Sequence, residues 1–167
     1  LDGLNVHGAI IDELHVHKTR DMWDVIDTGT GSRRQPLIFC ITTAGFDRQS
    51  ICWENHEYVE KILDGIIEDE TFFGIIYSVD EGDNWNEEST WAKANPNYGI
   101  SVYAHDLKRK AKKAAEMPSA LNAFLRKHLD IWTQSETAWL THELWDACSM
   151  PVDPDGLKGR ICYAGLD

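Results

Sequence analysis

The order of apolar and polar positions predicts strands and helices alternating through the first half of this chain and mostly helices through the second. Val6 to Ile11 reads as a first strand, Thr19 to Asp27 as a short helix and Leu37 to Ile41 as a second strand. Thr28-Gly29-Thr30-Gly31-Ser32 breaks the pattern between them. Short continuous apolar runs of this kind suit parallel strands buried on both faces. Ser50 can cap a helix running to Asp64 and closed by Gly65, with Trp53, Tyr58, Ile62 and Leu63 supplying its apolar contacts. Phe72 to Val79 is a third predicted strand. This alternation implies an α/β sheet with helices packed on it.

From Asp80 the pattern changes to an acidic loop, Asp80-Glu81-Gly82-Asp83-Asn84-Trp85, and then to helical sequence. Glu87 to Ala94 forms a short helix stopped by Asn95-Pro96, since the residue before proline is biased away from helix. Tyr103 to Met117 is a longer one, and Pro118 suits the first turn of the next, which runs to Ile131. Thr141 to Ala147 adds a last short helix, and Gly159 to Asp167 returns to strand character. The expected organisation is a sheet-bearing part over 1–80, a mainly helical part over 81–158 and the start of a further domain over 159–167.

Composition narrows the class without deciding it. Hydrophobic residues make up 43% of the 167 and charged residues 26%, which is ordinary for a folded chain. No apolar run reaches the roughly 20 residues that a membrane helix needs, so no membrane partner is expected. Cys40, Cys52, Cys148 and Cys162 are scattered without a CxxC pair, against a zinc ribbon or a disulfide scaffold and in keeping with a reducing cytosol. A formal net charge of -12 disfavours indiscriminate nucleic-acid binding, so any DNA contact must be local or made by an assembly. The chain opens without Met at Leu1-Asp2-Gly3 and stops at Leu166-Asp167 just after an apolar run, and it is read as an internal fragment.

Two strand ends carry the candidate chemistry. Gly8-Ala9-Ile10-Ile11 leads into Asp12 and Glu13, and ligand crevices of open α/β sheets lie beyond the carboxyl ends of their strands. Asp12 is suited to anchor the hydration shell of Mg²⁺ beside bound phosphates, and Glu13 to orient or deprotonate an attacking water. The second strand ends in Thr42-Thr43-Ala44-Gly45, whose hydroxyls can bond a water, a phosphate oxygen or the neighbouring acids. The alternative is a strand-to-loop turn in which the threonines satisfy backbone groups.

Other features carry less. Arg33 and Arg34 follow a Gly-rich turn within reach of phosphate, but isolated arginines usually sit on a solvated surface. In Lys108-Arg109-Lys110-Ala111-Lys112-Lys113 the stripe Leu107, Ala111 and Ala114 does the packing while the basic residues fan over the open face. His7, His15 and His17 have no nearby cysteine to complete a zinc site. The seven tryptophans read as packing groups, with Trp85 lacking an evident partner.

Taken in order along the chain, these segments resemble the large terminase subunit of tailed bacteriophages. Gly8 to His15 resembles that family's Walker B segment, residues 28–37 the stretch before its coupling motif, and Thr42 to Phe46 the coupling motif itself. Leu63-Asp64-Gly65, Trp91, Ala94-Asn95-Pro96, Leu121-Asn122-Ala123-Phe124 and Trp145-Asp146-Ala147-Cys148 resemble its linker region. Tyr163 to Asp167 resembles the opening strand of its ribonuclease-H-like nuclease.

The resemblance implies a partial P-loop NTPase sheet of the ASCE type, a helical linker or lid, and the first nuclease strand. It implies Asp12 as the Walker B magnesium residue, Glu13 as the catalytic carboxylate, and Thr42, Thr43 and Ala44 as the nucleotide-sensing coupling motif. Asp167 would be a catalytic, metal-binding carboxylate of a two-metal nuclease, using Mg²⁺ or Mn²⁺. ATP, double-stranded phage DNA, a portal protein, the terminase small subunit and a homo-oligomeric ring on the procapsid in the host cytoplasm follow as implied cofactor, partners and setting. This sequence contains neither the Gly-rich Walker A loop with its lysine nor the remaining nuclease acids, so the fragment alone is expected to be inactive.

Two other readings compete. Asp12-Glu13-Leu14-His15 also resembles the DExH box of a superfamily 2 helicase, although the helical second half does not lead toward a second RecA-like domain. A non-catalytic interaction domain that retains carboxylates without a nucleotide site is the third.

Overall fold

The computed structural model describes residues 3–134, 142–149, 156, 158, 159 and 161. Strand β1, Gly8–Asp12, pairs in parallel with β2, Leu37–Ile41, in a register that sets Gly8 opposite Leu37 and Asp12 opposite Ile41. Parallel neighbours require a crossover. Helix α1, Asp21–Thr28, lies within that connection, preceded by a short 3-10 turn at Leu14–Val16.

Side chains alternate across a strand, so each strand offers two faces. One face packs against α2, Ile51–Leu63, in a core of Ile11, Leu14, Ile51 and Cys52 joined by Trp23, Ile26, Ile38, Cys40 and Trp132. The other face, Ile10, Leu37, Phe39 and Ile41, is exposed. Burial on both faces, expected from the unbroken apolar runs, is therefore met on one side only: among the described residues the sheet has two strands and nothing covers the second face. Helix α2 begins where expected, with Ser50 Oγ accepting the Trp53 N–H at 3.3 Å, and ends before Gly65 at φ 69°.

The third strand expected at Phe72 to Val79 does not form. The segment is extended and its burial alternates, with Phe73, Ile75 and Tyr77 outward, but it has no ladder partner among the described residues. It lies on α2 instead, closely enough that a Cβ at Gly74 would meet Val59 Cγ2 at 2.4 Å. Tyr58 stacks edge-on against Phe72 and donates its hydroxyl to Asp69. Strand propensity was present in the sequence; a neighbouring ladder was not.

The helical part comprises α3, Glu88–Ala94, α4, Ala104–Glu116, and α5, Pro118–Leu129. The predicted stripe of Leu107, Ala111 and Ala114 is buried, leaving the basic residues of α4 on its open side, where Asp106 pairs with Arg109 and Lys110. These residues join Trp91, Phe124 and Leu129 in a second core. Trp85 has a partner after all: its ring packs edge-on against Phe124 and its carbonyl accepts Trp91 Nε1–H at 2.8 Å. Helix α5 ends two residues earlier than expected because Asp130 adopts φ 55°, a left-handed conformation that Asp tolerates better than most residues. A short helix α6, His142–Ala147, follows. The strand expected near Ile161 to Leu166, and Asp167 with it, lie outside the described residues except for Ile161.

Candidate functional site

Because β1 and β2 are parallel and in register, their carboxyl ends leave the sheet at one level. Asp12 is the last residue of β1 and is exposed; among the described residues its carboxylate makes no hydrogen bond or ion pair. The ladder continues one step further, with Glu13 N–H donating to Ile41 C=O at 2.8 Å. Glu13 then turns into the left-handed region at φ 55°, ψ 48°. For a residue with a Cβ that conformation costs about 1 to 3 kcal/mol and persists only where surrounding bonds enforce it. Here the Ile41 bond on one side and the 3-10 turn on the other hold it, with Val16 N–H donating to Glu13 C=O.

That turn brings His15 back to the end of β2. The His15 N–H donates to Thr42 Oγ1 at 3.0 Å, and its ring Nδ1 lies 3.1 Å from the same oxygen and 3.0 Å from Glu13 Oε2. Thr42 donates its own hydroxyl hydrogen to Thr43 C=O at 3.0 Å, and Cys52 Sγ approaches from α2 at 3.8 Å. Burial lowers the His15 pKa, opposed by Glu13 and reinforced by Arg126 and Lys127 of α5, so the ring is neutral at physiological pH. Burial pushes the Cys52 thiol up to about 11 and also raises Cys40, which favours the neutral thiol in both.

Beyond Thr43 the loop is gripped by the segment that follows α5. The backbone of buried Ala44 lies beside the Asp130 carboxylate, and Gly45 C=O accepts the Thr133 N–H at 3.3 Å. A Cβ at Gly45 would stand 2.9 Å from Trp132 Cζ3, so only glycine allows this approach. Phe46 lies with its ring 5.2 Å from the guanidinium of buried Arg126. Ser78 Oγ in turn donates to Asp130 C=O at 3.2 Å. Burial raises the Asp130 carboxyl to about 6, against the pull of the nearby Ala44 N–H.

The candidate residues on the described part of the chain therefore converge: Asp12, Glu13, Thr42, Thr43 and Ala44 occupy one sheet edge. Asp167 lies outside the described residues. Sequence reasoning missed His15 as a bridge and Asp130 as an anchor. The spacing Glu-x-His was a visible signal for the first; nothing local marked the second. Arg33 donates to Asn5 C=O, and His15 is taken up by Thr42 and Glu13.

A magnesium ion fits these donors. Mg²⁺ prefers hard oxygen ligands and is usually held by one or two carboxylates together with water and ligand phosphates. Asp12, an exposed carboxylate at the strand end with no hydrogen bond or ion pair among the described residues, meets that description. Among the described residues no cluster of three or more His, Cys, Asp or Glu stands ready for a metal.

Comparison with known proteins gives this edge its context. Residues 1–61 match the terminase large subunit ATPase domain and residues 66–167 the terminase large subunit endonuclease domain. Protein YmfN of Escherichia coli (strain K12) is 36% identical over 167 residues, covering 99% of this chain and 37% of its own length. The terminase large subunit of Enterobacteria phage HK97 is 27% identical over 176 residues, covering 99% of this chain and 33% of its own. The chain thus spans about a third of the length of these relatives. The crystal structure of the HK97 bacteriophage large terminase superposes with a TM-score of 0.67 at 23% identity, over 91% of this chain and 31% of that one, a likeness of fold. The two domain matches favour the terminase reading over the helicase and over a relic without a nucleotide site, and the chain belongs to the terminase large subunit family.

Proposed function

We propose that this chain is the portion of a packaging motor in which ATP hydrolysis is linked to translocation of double-stranded phage DNA into a procapsid. The observation that carries the reading is the shared strand edge, where Asp12-Glu13 and Thr42-Thr43-Ala44 sit side by side. Asp12 would hold Mg²⁺, which when bound offsets charge on the nucleotide phosphates. Glu13 orients the attacking water and accepts its proton. Thr42 and Thr43 respond to the phosphate state, and Ala44 and Gly45 carry that response to residues 130–133 through the contacts described above.

The remaining assignments belong to the same reading. Residues 1–80 act with the ATPase portion, 81–158 as linker, and 159–167 open the nuclease, in which Asp167 holds Mg²⁺ or Mn²⁺ for strand cleavage. Segment 66–80 falls within the endonuclease match yet packs on α2, which supports assigning it to the ATPase side. Portal protein, terminase small subunit and a homo-oligomeric ring on the procapsid in the host cytoplasm are the partners and setting. No helix among the described residues is long and apolar enough to cross a membrane.

The test uses the full-length protein. Glu13→Gln should leave ATP binding intact while hydrolysis falls by about 10² to 10⁴-fold, the usual loss for a positioned base. Near-normal turnover would remove Glu13 from the mechanism.

A further inference from the structure

We propose that His15 is a positioning residue for the hydrolytic centre, its imidazole holding the Glu13 carboxylate and the Thr42 hydroxyl in one fixed arrangement. The inference rests on the reading that Glu13 orients the water.

The hydrogen-bond roles follow from counting donors. Thr42 has one hydroxyl hydrogen, and it points to Thr43 C=O. Its oxygen is therefore an acceptor toward His15, whose backbone N–H already reaches it at 3.0 Å. The ring Nδ1 then faces two acceptors, Thr42 Oγ1 at 3.1 Å and Glu13 Oε2 at 3.0 Å. A bare lone pair there would oppose a carboxylate oxygen, so Nδ1 carries the hydrogen and shares it between them. In the neutral ring this leaves Nε2 as the acceptor.

The pairing is mechanically unequal. The His15 side chain is 9% exposed and the Glu13 side chain 54%. Two bonds from one residue to one threonine oxygen, plus burial, leave the imidazole little freedom. The carboxylate faces solvent, where an unsupported Glu would sample several rotamers. A fixed donor beside it selects one. The same donor couples that choice to Thr42, so displacement of the coupling loop shifts the carboxylate. Small misplacements of this kind cost rate rather than affinity.

The geometry makes a chemical distinction that a packing role does not. The side-chain amide of Asn can stand where Nδ1–H stands, whereas that of Gln reaches the Nε2 position. In the full-length protein, His15→Asn should keep kcat for ATP hydrolysis within about threefold, while His15→Gln and His15→Leu should lower it by about 10- to 100-fold with KM changed little. His15→Leu should add nothing further to the loss caused by Glu13→Gln, because its effect passes through that carboxylate. If the Leu variant does not fold, the Asn and Gln variants carry the comparison. Equal losses for Asn and Gln, unchanged turnover in the Gln variant, or an additive effect on the Glu13→Gln background would overturn the proposal while leaving the hydrolytic role of Glu13 intact. Unchanged hydrolysis in Glu13→Gln alone would overturn both.

Discussion

The Asp130 carboxylate lies beside the backbone N–H of Ala44, so a largely buried acid at the end of one helix meets the loop at the end of one strand. Two cores meet at this contact: Leu129 and Ile131 belong to the helical one and Trp132 to the sheet one. Asp130 is thus a joint between the parts of the molecule rather than a member of either.

Its ionisation has a predictable thermal signature. The native carboxyl sits near 6, above its ordinary 3.8, because burial disfavours the charge. The native state then binds the proton more tightly than the unfolded one, so stability falls as pH rises from about 4 to 6, and the cost is fully present above about 6. Asn has no charge to bury, tolerates the left-handed backbone, and still offers an oxygen to Ala44. Asp130→Asn should therefore stabilise the chain by the order of 1 to 3 kcal/mol at pH 8, with the gain vanishing toward pH 4. Thermal melts at both pH values would show it; a pH-independent difference would contradict the buried-carboxylate account.

The two threonines of the loop should behave differently. Thr42 is the hydroxyl that gathers His15, Cys52 and Thr43 C=O, whereas the bonds described involve only the main chain of Thr43. In the full-length protein Thr42→Val should reduce DNA packaged per ATP hydrolysed more than it reduces nucleotide affinity, and more than Thr43→Val does. An in vitro packaging assay run beside a nucleotide-binding measurement reads this directly. Equal activity of both variants would return the loop to a purely structural turn.

The extended segment after α2 can be tested by a size exchange. A methyl group at Gly74 would collide with both γ carbons of Val59, at 2.4 and 2.7 Å. Gly74→Ala should cost about 1 to 3 kcal/mol, the usual range for overpacking. Adding Val59→Ala should recover part of that loss, since contacting residues do not add independently. Denaturant unfolding of the single and double variants would detect the recovery, and strict additivity would place Gly74 away from α2.

What the sequence made legible was local or periodic. The limits of β2, the Ser50 cap, the proline start of α5 and the Leu107, Ala111, Ala114 stripe need only neighbours along the chain. Convergence of Asp12 with Thr42 was also readable, because two apolar runs ending in polar residues must emerge on one edge if they pair in parallel. The failures were matters of partnership. Phe72 to Val79 has strand character but no ladder, and Trp85 meets Phe124 far along the chain. Asp130 looks like any polar residue after a helix until its carboxylate is found beside Ala44.

The grip on the loop after β2 has a further consequence for how such chains diverge. On the loop side it is made by the C=O of Gly45, which accepts the Thr133 N–H, with the Ala44 N–H beside the Asp130 carboxylate. Peptide groups are supplied by nearly every amino acid, so most of this attachment leaves no trace in residue identity. Relatives can exchange the side chains at 44 and 133 and keep the same mechanical link, provided that an acceptor persists at 130 and glycine at 45. A connection between distant parts of the fold would then be kept in shape while drifting freely in spelling.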